Sequence, residues 1–355
     1  MEKLKKALNL VFIDGLSGMA LGLFSTLIIG TIIKQIGSYI PGTIGSYFVV
    51  FGQIASSITG AGIGCGTAYK LKAKPLVIFS SCVCGMIGAF ASKIIAGTVV
   101  VEGVINYAGP GEPLGAYVAA LVGIIVGGLI AGKTKLDILL TPMVTILSGG
   151  FVGVLVGPPI SAIMNALGEL IRIGTEQQPF LMGILVSVIM GMVLTLPISS
   201  AALGIVLNLS GLAAGAATVG CCANMIGFAV ASYRENGIGG FFAQGLGTSM
   251  LQVPNIMKKP VIWLPAIITS AILGPVSTMV FKMTDNATGS GMGTSGLVGQ
   301  LMTYQDMTAN GVSGGLVFFE ILLMHVILPG IIAFVVSELM RKKGIIKDGD
   351  MKLEM

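Results

Sequence analysis

Read from end to end, the chain alternates long apolar runs with short basic clusters. Unbroken runs such as Leu76–Phe90, continuing to Gly97, and Ala116–Gly132 hold close to twenty residues. A helix of about twenty residues crosses a hydrocarbon core about 30 Å thick. The pattern places spans near 15–36, 44–69, 76–97, 114–132, 138–156, 159–174, 180–197, 212–232, 261–281 and 315–340. A barrel would instead alternate apolar and polar residues in segments of about ten, and this chain does not. The expected fold is therefore all-α: a polytopic helical membrane protein with about ten transmembrane helices. The 159–174 run is short and carries Asn165, Glu169 and Arg172, so an amphipathic or re-entrant helix is its alternative.

Two stretches are apolar enough to enter a membrane but too broken to cross it. One is Leu196-Pro197-Ile198-Ser199-Ser200-Ala201-Ala202, followed by Asn208 and Ser210; the other runs from Gly245 to Asn255. Non-helical backbone at membrane depth is tolerated only where it lines a cavity or is buried in protein. Broken helices of this kind mark solute sites in carriers. Both are expected to be re-entrant hairpins.

Composition supports the membrane reading. Hydrophobic residues make up 54% of the 355, and only 10% are charged. Mean hydropathy is +0.95. A soluble domain carries about 25% charged residues. The net charge of +5 is too small to suggest nucleic acid, and the lipid bilayer is the expected partner. Basic clusters at Lys3/Lys5/Lys6, Lys70/Lys72/Lys74, Lys133/Lys135, Arg172, Arg234, Lys258/Lys259 and Arg341/Lys342/Lys343 alternate with loops bearing Glu102, Glu112 and Asp285. Cytoplasmic loops are enriched in Lys and Arg, which places both termini in the cytoplasm as short tails, about 1–10 and 341–355. The run from Gly15 to Ile33 is long enough to span and lacks a clear cleavage site, so a removable signal peptide is not expected. The chain reads as a single transmembrane domain, 1–355.

Glycine is abundant, at 53 residues. Small residues let membrane helices approach closely, so the alternating Gly60, Gly62, Gly64 and Gly66 read as packing. No Gly-Lys-Ser/Thr follows them to make a phosphate loop. Cys65, Cys82, Cys84, Cys221 and Cys222 lie in apolar runs without metal-ligand spacing and read as small buried hydrophobes. No metal or cofactor is expected, and no catalytic residue is evident.

Ionisable groups inside spans are costly and so become functional candidates. Asp14, Lys34 and Lys93 lie near span ends, where snorkelling explains them. Glu320 and His325 sit deeper; five α-helical residues turn about 500°, leaving the two side chains about 140° apart. His325 is the only histidine, which excludes a multi-histidine metal site. The broken segments contribute neutral hydrogen-bonding groups: Thr195, Ser199, Ser200, Asn208, Asn224, Thr248, Ser249, Gln252 and Asn255. Such groups suit the hydroxyls of a sugar or another small polar solute. The glycine-rich stretch Gly289–Gln300 reads as a gate or as a flexible connection.

Thr141-Pro142-Met143-Val144-Thr145-Ile146-Leu147-Ser148-Gly149-Gly150, with Gly157-Pro158-Pro159-Ile160, resembles the enzyme IIC membrane subunits of the bacterial sugar phosphotransferase system. Gly247–Asn255, ending in Lys259-Pro260-Val261-Ile262-Trp263-Leu264-Pro265, resembles that family's sugar-binding hairpin and next helix. With Gly291-Met292-Gly293-Thr294-Ser295-Gly296, the chain looks most like the IIC-like group that includes the PfoR toxin-regulator proteins. The resemblance implies a homodimeric carrier in the bacterial cytoplasmic membrane. It would bind sugar from outside and present it to separate IIA and IIB subunits for phosphorylation. Many family members carry a hairpin Glu in an Ile-Thr/Ser-Glu motif; here the stretch reads Thr248-Ser249-Met250, with neutral Gln252 nearest. Two alternatives follow: a membrane sensor that keeps the fold without coupled transport, and an ion-coupled carrier using Glu320 or Glu169.

Overall fold

In a computed structural model the described residues are 9–107 and 109–353, and they are overwhelmingly helical. Lys3, Lys5, Lys6, Met1 and Met355, on which the reading of the termini leans, lie outside them. Among the described residues, six helices are long and apolar enough to cross a membrane: Leu10–Tyr39, Pro113–Ile130, Asp137–Thr175, Gly211–Ala231, Pro260–Phe281 and Gly314–Lys342. The pair Thr43–Ser57 and Thr59–Lys70, bent by 55°, makes a seventh if it counts as one span. Pro75–Ala89 and Pro179–Thr195 are shorter apolar helices. The molecule is thus an all-α polytopic membrane protein.

One expected boundary is absent. The runs 138–156 and 159–174 belong to a single helix of 39 residues, Asp137–Thr175, which passes through Pro142, Pro158 and Pro159. Proline breaks soluble helices because it lacks an N–H. In membrane helices such breaks are tolerated, because neighbouring groups satisfy the freed carbonyls. The polar residues at the end of that helix are not a separate hairpin: Arg172 pairs with Glu169 at 2.7 Å and with Glu176, all more than half exposed. Exposed pairs of this kind contribute little to stability.

The chain forms two compact units, divided within this helix at Ile163 and Met164. In the first, the Thr59–Lys70 helix packs against Leu16–Leu23 on one side and Pro75–Ala89 on the other. Its glycines explain how. A Cβ at Gly22 would collide with the Gly62 carbonyl, and one at Gly66 with that of Gly18. Gly60 and Gly64 press in the same way on Gly85 and Ser81. Residues four apart share a helix face, so the alternating glycines divide into two pairs that serve two neighbours. Pro113–Ile130 closes the group against Pro75–Ala89, with Lys74 Nζ donating to the Ala131 carbonyl at 2.6 Å. Cys84, Cys221 and Cys222 are buried, Cys82 is half-buried, and Cys65 is exposed.

The second unit is built around Gly211–Ala231. Of that helix's most apolar window, 89% is buried, against 28% for Asp137–Thr175. Its small side chains allow this: Gly211-Leu-Ala-Ala-Gly-Ala-Ala carries nothing longer than one leucine in two turns. Pro179–Thr195, Leu264–Pro275 and Leu328–Lys342 pack around it. Gly191 and Gly220 let the first of these approach to backbone contact. The chain does not trail away after its last helix; residues 344–353 fold back against this unit and bury Ile346 and Met351.

Close glycine contacts should be intolerant of bulk. Gly62→Val forces a branched side chain onto the Gly22 carbonyl, and overpacking of this kind costs about 1–3 kcal/mol. A lowered melting temperature in detergent is expected, while the open-sided Gly128→Ala changes little.

Candidate functional site

The second unit's helices break where the sequence suggests. Pro179–Thr195 ends before Leu196–Ser199, and a seven-residue helix, Ser200–Val206, follows. After Gly237 the chain proceeds through short pieces: a π turn at Ala243–Gly247, a 3-10 turn at Ser249–Gln252 and the helix Val253–Lys258. A third irregular stretch, 282–297, joins Pro260–Phe281 to Val298–Ala309. The three meet one another. Thr195 Oγ1 lies 2.8 Å from Ser249 Oγ, Ser200 Oγ donates to the Gly291 carbonyl at 2.6 Å, and Thr294 Oγ1 donates to the Gly245 carbonyl.

At the centre of the first contact is Asn224, fully buried on Gly211–Ala231. Its Oδ1 accepts from Trp263 Nε1 at 2.8 Å and from Thr195 Oγ1 at 3.2 Å. Its Nδ2 donates to the Gly220 carbonyl at 3.1 Å and to Ser270 Oγ at 3.2 Å. An amide side chain offers two donors and one acceptor with two lone pairs, so this one is saturated. Thr195, Asn224 and Ser249 therefore form one network, which Trp263 and Ser270 complete. Neither of those two has a role legible in the sequence, because nothing in the local pattern relates positions 263 and 270 to position 224; only the fold brings them to Asn224.

Gln252 and Asn255 belong to a second network. Gln252 Nε2 donates to Gln244 Oε1 at 2.8 Å and to the Met351 carbonyl at 3.0 Å. Asn255 Nδ2 donates to Gln252 Oε1 and to the Lys352 carbonyl, both at 2.9 Å. Gln244 continues the row to Ser232 Oγ and the Gly240 carbonyl. Thr248 acts locally, its hydroxyl capping the following 3-10 turn by accepting from Met250 N. Ser199 lies in the break after Pro179–Thr195, and Ser200 holds the glycine-rich stretch.

Two cavities flank Gly211–Ala231. One, of about 480 Å³, is lined by Thr175, Gln177, Asn208 and Ser210 together with Leu212 and Ala213, at the beginning of that helix. Asn208 sits there in the left-handed region, at φ 48. The other, of about 390 Å³, is lined by Asn255, Lys258, Lys259, Asp350 and Lys352. It adjoins the folded-back segment whose Ile346 and Met351 pack with Phe228 and Ala231, near the helix's end.

Glu320 and His325 are both buried on Gly314–Lys342. The turn Leu322–Ile327 is π-helical, so the α-helical angle between them does not apply. Hydrogen bonds from residue i to i+5 widen the turn, and such bulges frequently occur at functional sites. Glu320 Oε2 and both ring nitrogens of His325 have no hydrogen-bond partner among the described residues.

The sequence pattern places Asp285 in a solvated loop, but it is fully buried beyond the end of Pro260–Phe281. Thr218 and Thr303 donate to its Oδ2, the latter at 3.0 Å, and Asn286 N donates to Oδ1 at 2.7 Å. Burial pushes its carboxyl up to about 7; these hydrogen bonds oppose the shift, and the nearby Asp306 charge adds to it.

The comparisons agree with this architecture. The family model described as Phosphotransferase system, EIIC matches residues 13–353, across both units. The chain belongs to that family and is a membrane sugar-transport component of the phosphotransferase system. No curated protein matches the sequence.

The Asp285 environment generates a pH dependence. A carboxyl whose folded pKa is raised stabilises the fold fully below its unfolded value, near 4, and loses that contribution as pH rises through about 7. Melting temperature should fall across this window, and Asp285→Asn should flatten that component. A slope unchanged by the substitution would assign it to another group.

Proposed function

We propose that this chain is a carrier of the enzyme IIC type that binds a neutral polyhydroxylated solute, a sugar or close relative. The supporting observation is the pair of cavities near opposite ends of Gly211–Ala231, with the Thr195–Asn224–Ser249 network on the helix between them. Twenty-one helical residues span about 31 Å, close to the thickness of a hydrocarbon core. A path with a polar opening at each end and a hydrogen-bonded closure between is what alternating access requires. On this reading Asn208 faces the outer opening and Asn255 the inner one, with Gln252 buried behind Asn255 and hydrogen-bonded to it. The basic residues Lys258, Lys259, Arg341, Lys342 and Lys343 gather with the second cavity and the folded-back segment, so the positive-inside rule orients it to the cytoplasm. There the solute would meet separate IIA and IIB subunits, and the carrier would work as a homodimer within one transmembrane domain.

Neutral recognition fits the residues present. Met250 stands at the motif position where many family members carry a carboxylate, the neutral Gln252 is the nearest polar side chain, and amides supply both donors and acceptors to hydroxyl groups. A second reading, ion coupling, is favoured by Asp285 and Glu320, buried without an ion-pair partner among the described residues. Glu169 does not join them, because it is exposed and paired.

Leaving a buried hydrogen-bonding partner unmatched costs about 1–3 kcal/mol. At about 1.4 kcal/mol per tenfold, Gln252→Ala or Asn255→Ala should weaken solute binding roughly five- to a hundredfold, while Glu320→Gln matters less. Affinity untouched by both amide substitutions and abolished by Glu320→Gln would transfer the site to the ion-coupled reading.

A further inference from the structure

The two amides assigned above to the solute are already engaged, and by the chain itself. After Lys342 the backbone turns at Gly344, φ +70, and again at Gly349, φ +91, and runs back along the hairpin. These are left-handed conformations that glycine adopts at little cost. The carbonyls of Met351 and Lys352 then accept from Gln252 and Asn255. Asn236 brackets the same segment, donating to Met351 O at 2.9 Å and accepting from Leu353 N at 2.8 Å.

The ionic contacts of the attachment are buried at its base and partly exposed toward its tip. Arg341 pairs with Glu235 at 2.8 Å, both side chains being under a tenth exposed, and Ile346 is buried among Phe228, Ile262 and Trp263. Toward the tip the ionic anchor is Lys259 with Asp350, 2.6 Å apart but 31% and 22% exposed, at the edge of the 390 Å³ cavity. Two amides donating to backbone carbonyls make bonds that a solute hydroxyl can replace at nearly equal free energy, since one neutral hydrogen bond is exchanged for another.

We propose that residues 344–353 are an intramolecular competitor for the solute: their carbonyls occupy the Gln252 and Asn255 amides, and this segment must leave before those amides engage a sugar. The proposal rests on the carrier reading and adds a latch on the inner opening, anchored by Lys259 and Asp350. Asp350 is held below the usual carboxylate range: burial raises it, but the hydrogen bonds from Lys259 and Lys347 N and the Lys259 and Arg341 charges outweigh this. The anchor is therefore intact at neutral pH and is lost only in acid, below the usual carboxylate range.

The test uses the full chain in lipid nanodiscs, with hydrogen exchange of the 344–353 amides and titration with D-glucose, D-fructose and D-mannitol. Competition is reciprocal. A sugar that binds should speed exchange in 344–353, and Asp350→Asn should speed it without sugar while tightening sugar binding about two- to fivefold, the range for a partly exposed ion pair. Gln252→Ala should weaken binding more in the Asp350→Asn chain than in the native one, where it also loosens the competitor. Deleting 344–353 would strip Ile346 and Met351 from the core, which makes Asp350→Asn the cleaner variant. Sugar binding that slows exchange in 344–353 or leaves it unchanged would overturn the latch. So would faster exchange in Asp350→Asn with no gain in affinity. In both cases uptake by the native chain would still judge the carrier reading independently.

Discussion

A polar group buried among these helices is costly unless a neighbouring residue satisfies it, because the helices are surrounded by hydrocarbon rather than water. Asn224 shows the constraint most clearly. It sits on the most buried of the six candidate spans among the described residues, and all its hydrogen-bonding capacity is met by Thr195, Trp263, Ser270 and the Gly220 carbonyl. Those partners come from three separate elements, so one side chain fixes how Pro179–Thr195 and Pro260–Phe281 lie against Gly211–Ala231. Through Ser249 the same network reaches the broken hairpin. A helix can be interrupted here only because the interruptions answer one another.

Close approach makes that possible. Gly191, Gly220 and the small residues of Gly211–Ala231 bring backbones into contact, which places short side chains such as Ser187 within reach of neighbouring carbonyls: its hydroxyl donates to Ser270 O at 2.8 Å. In the first unit Gly60, Gly62, Gly64 and Gly66 bring helices into the same close contact, with Ser81 Oγ donating to the Gly64 carbonyl at 3.0 Å. The contrast separates a scaffold from a candidate site. Both are rich in glycine, but polar networks across broken helices form in the second unit.

Much of this is legible in the sequence. Run length reveals the helices, and the interruptions after Leu196 and Gly245 reveal the broken segments, because a hydrophobic run that stops short is visible without a structure. Thr195 and Ser249 are candidates for that reason, and they do meet. Asp137–Thr175 reads as two segments because Gly157-Pro158-Pro159 looks like a stop, a rule that carries over poorly from water to lipid. Asp285 is misplaced because a carboxylate in a polar stretch reads as solvated. Its burial depends on Thr218 and Thr303, 67 and 18 residues away. The contact of Met351 and Lys352 with the hairpin, 97 residues or more distant, leaves no periodic signal at all.

On the proposed carrier reading, the Asn224 network closes the path of a solute. The chain has one tryptophan, and its indole N–H is part of that network. Trp263 emission is therefore a direct reporter, needing no label. A sugar taken up by the protein should shift or quench that emission saturably, at the concentration that half-saturates uptake, and Asn224→Leu should abolish the change. A sugar that saturates uptake while Trp263 emission stays constant would contradict the account and place the solute elsewhere.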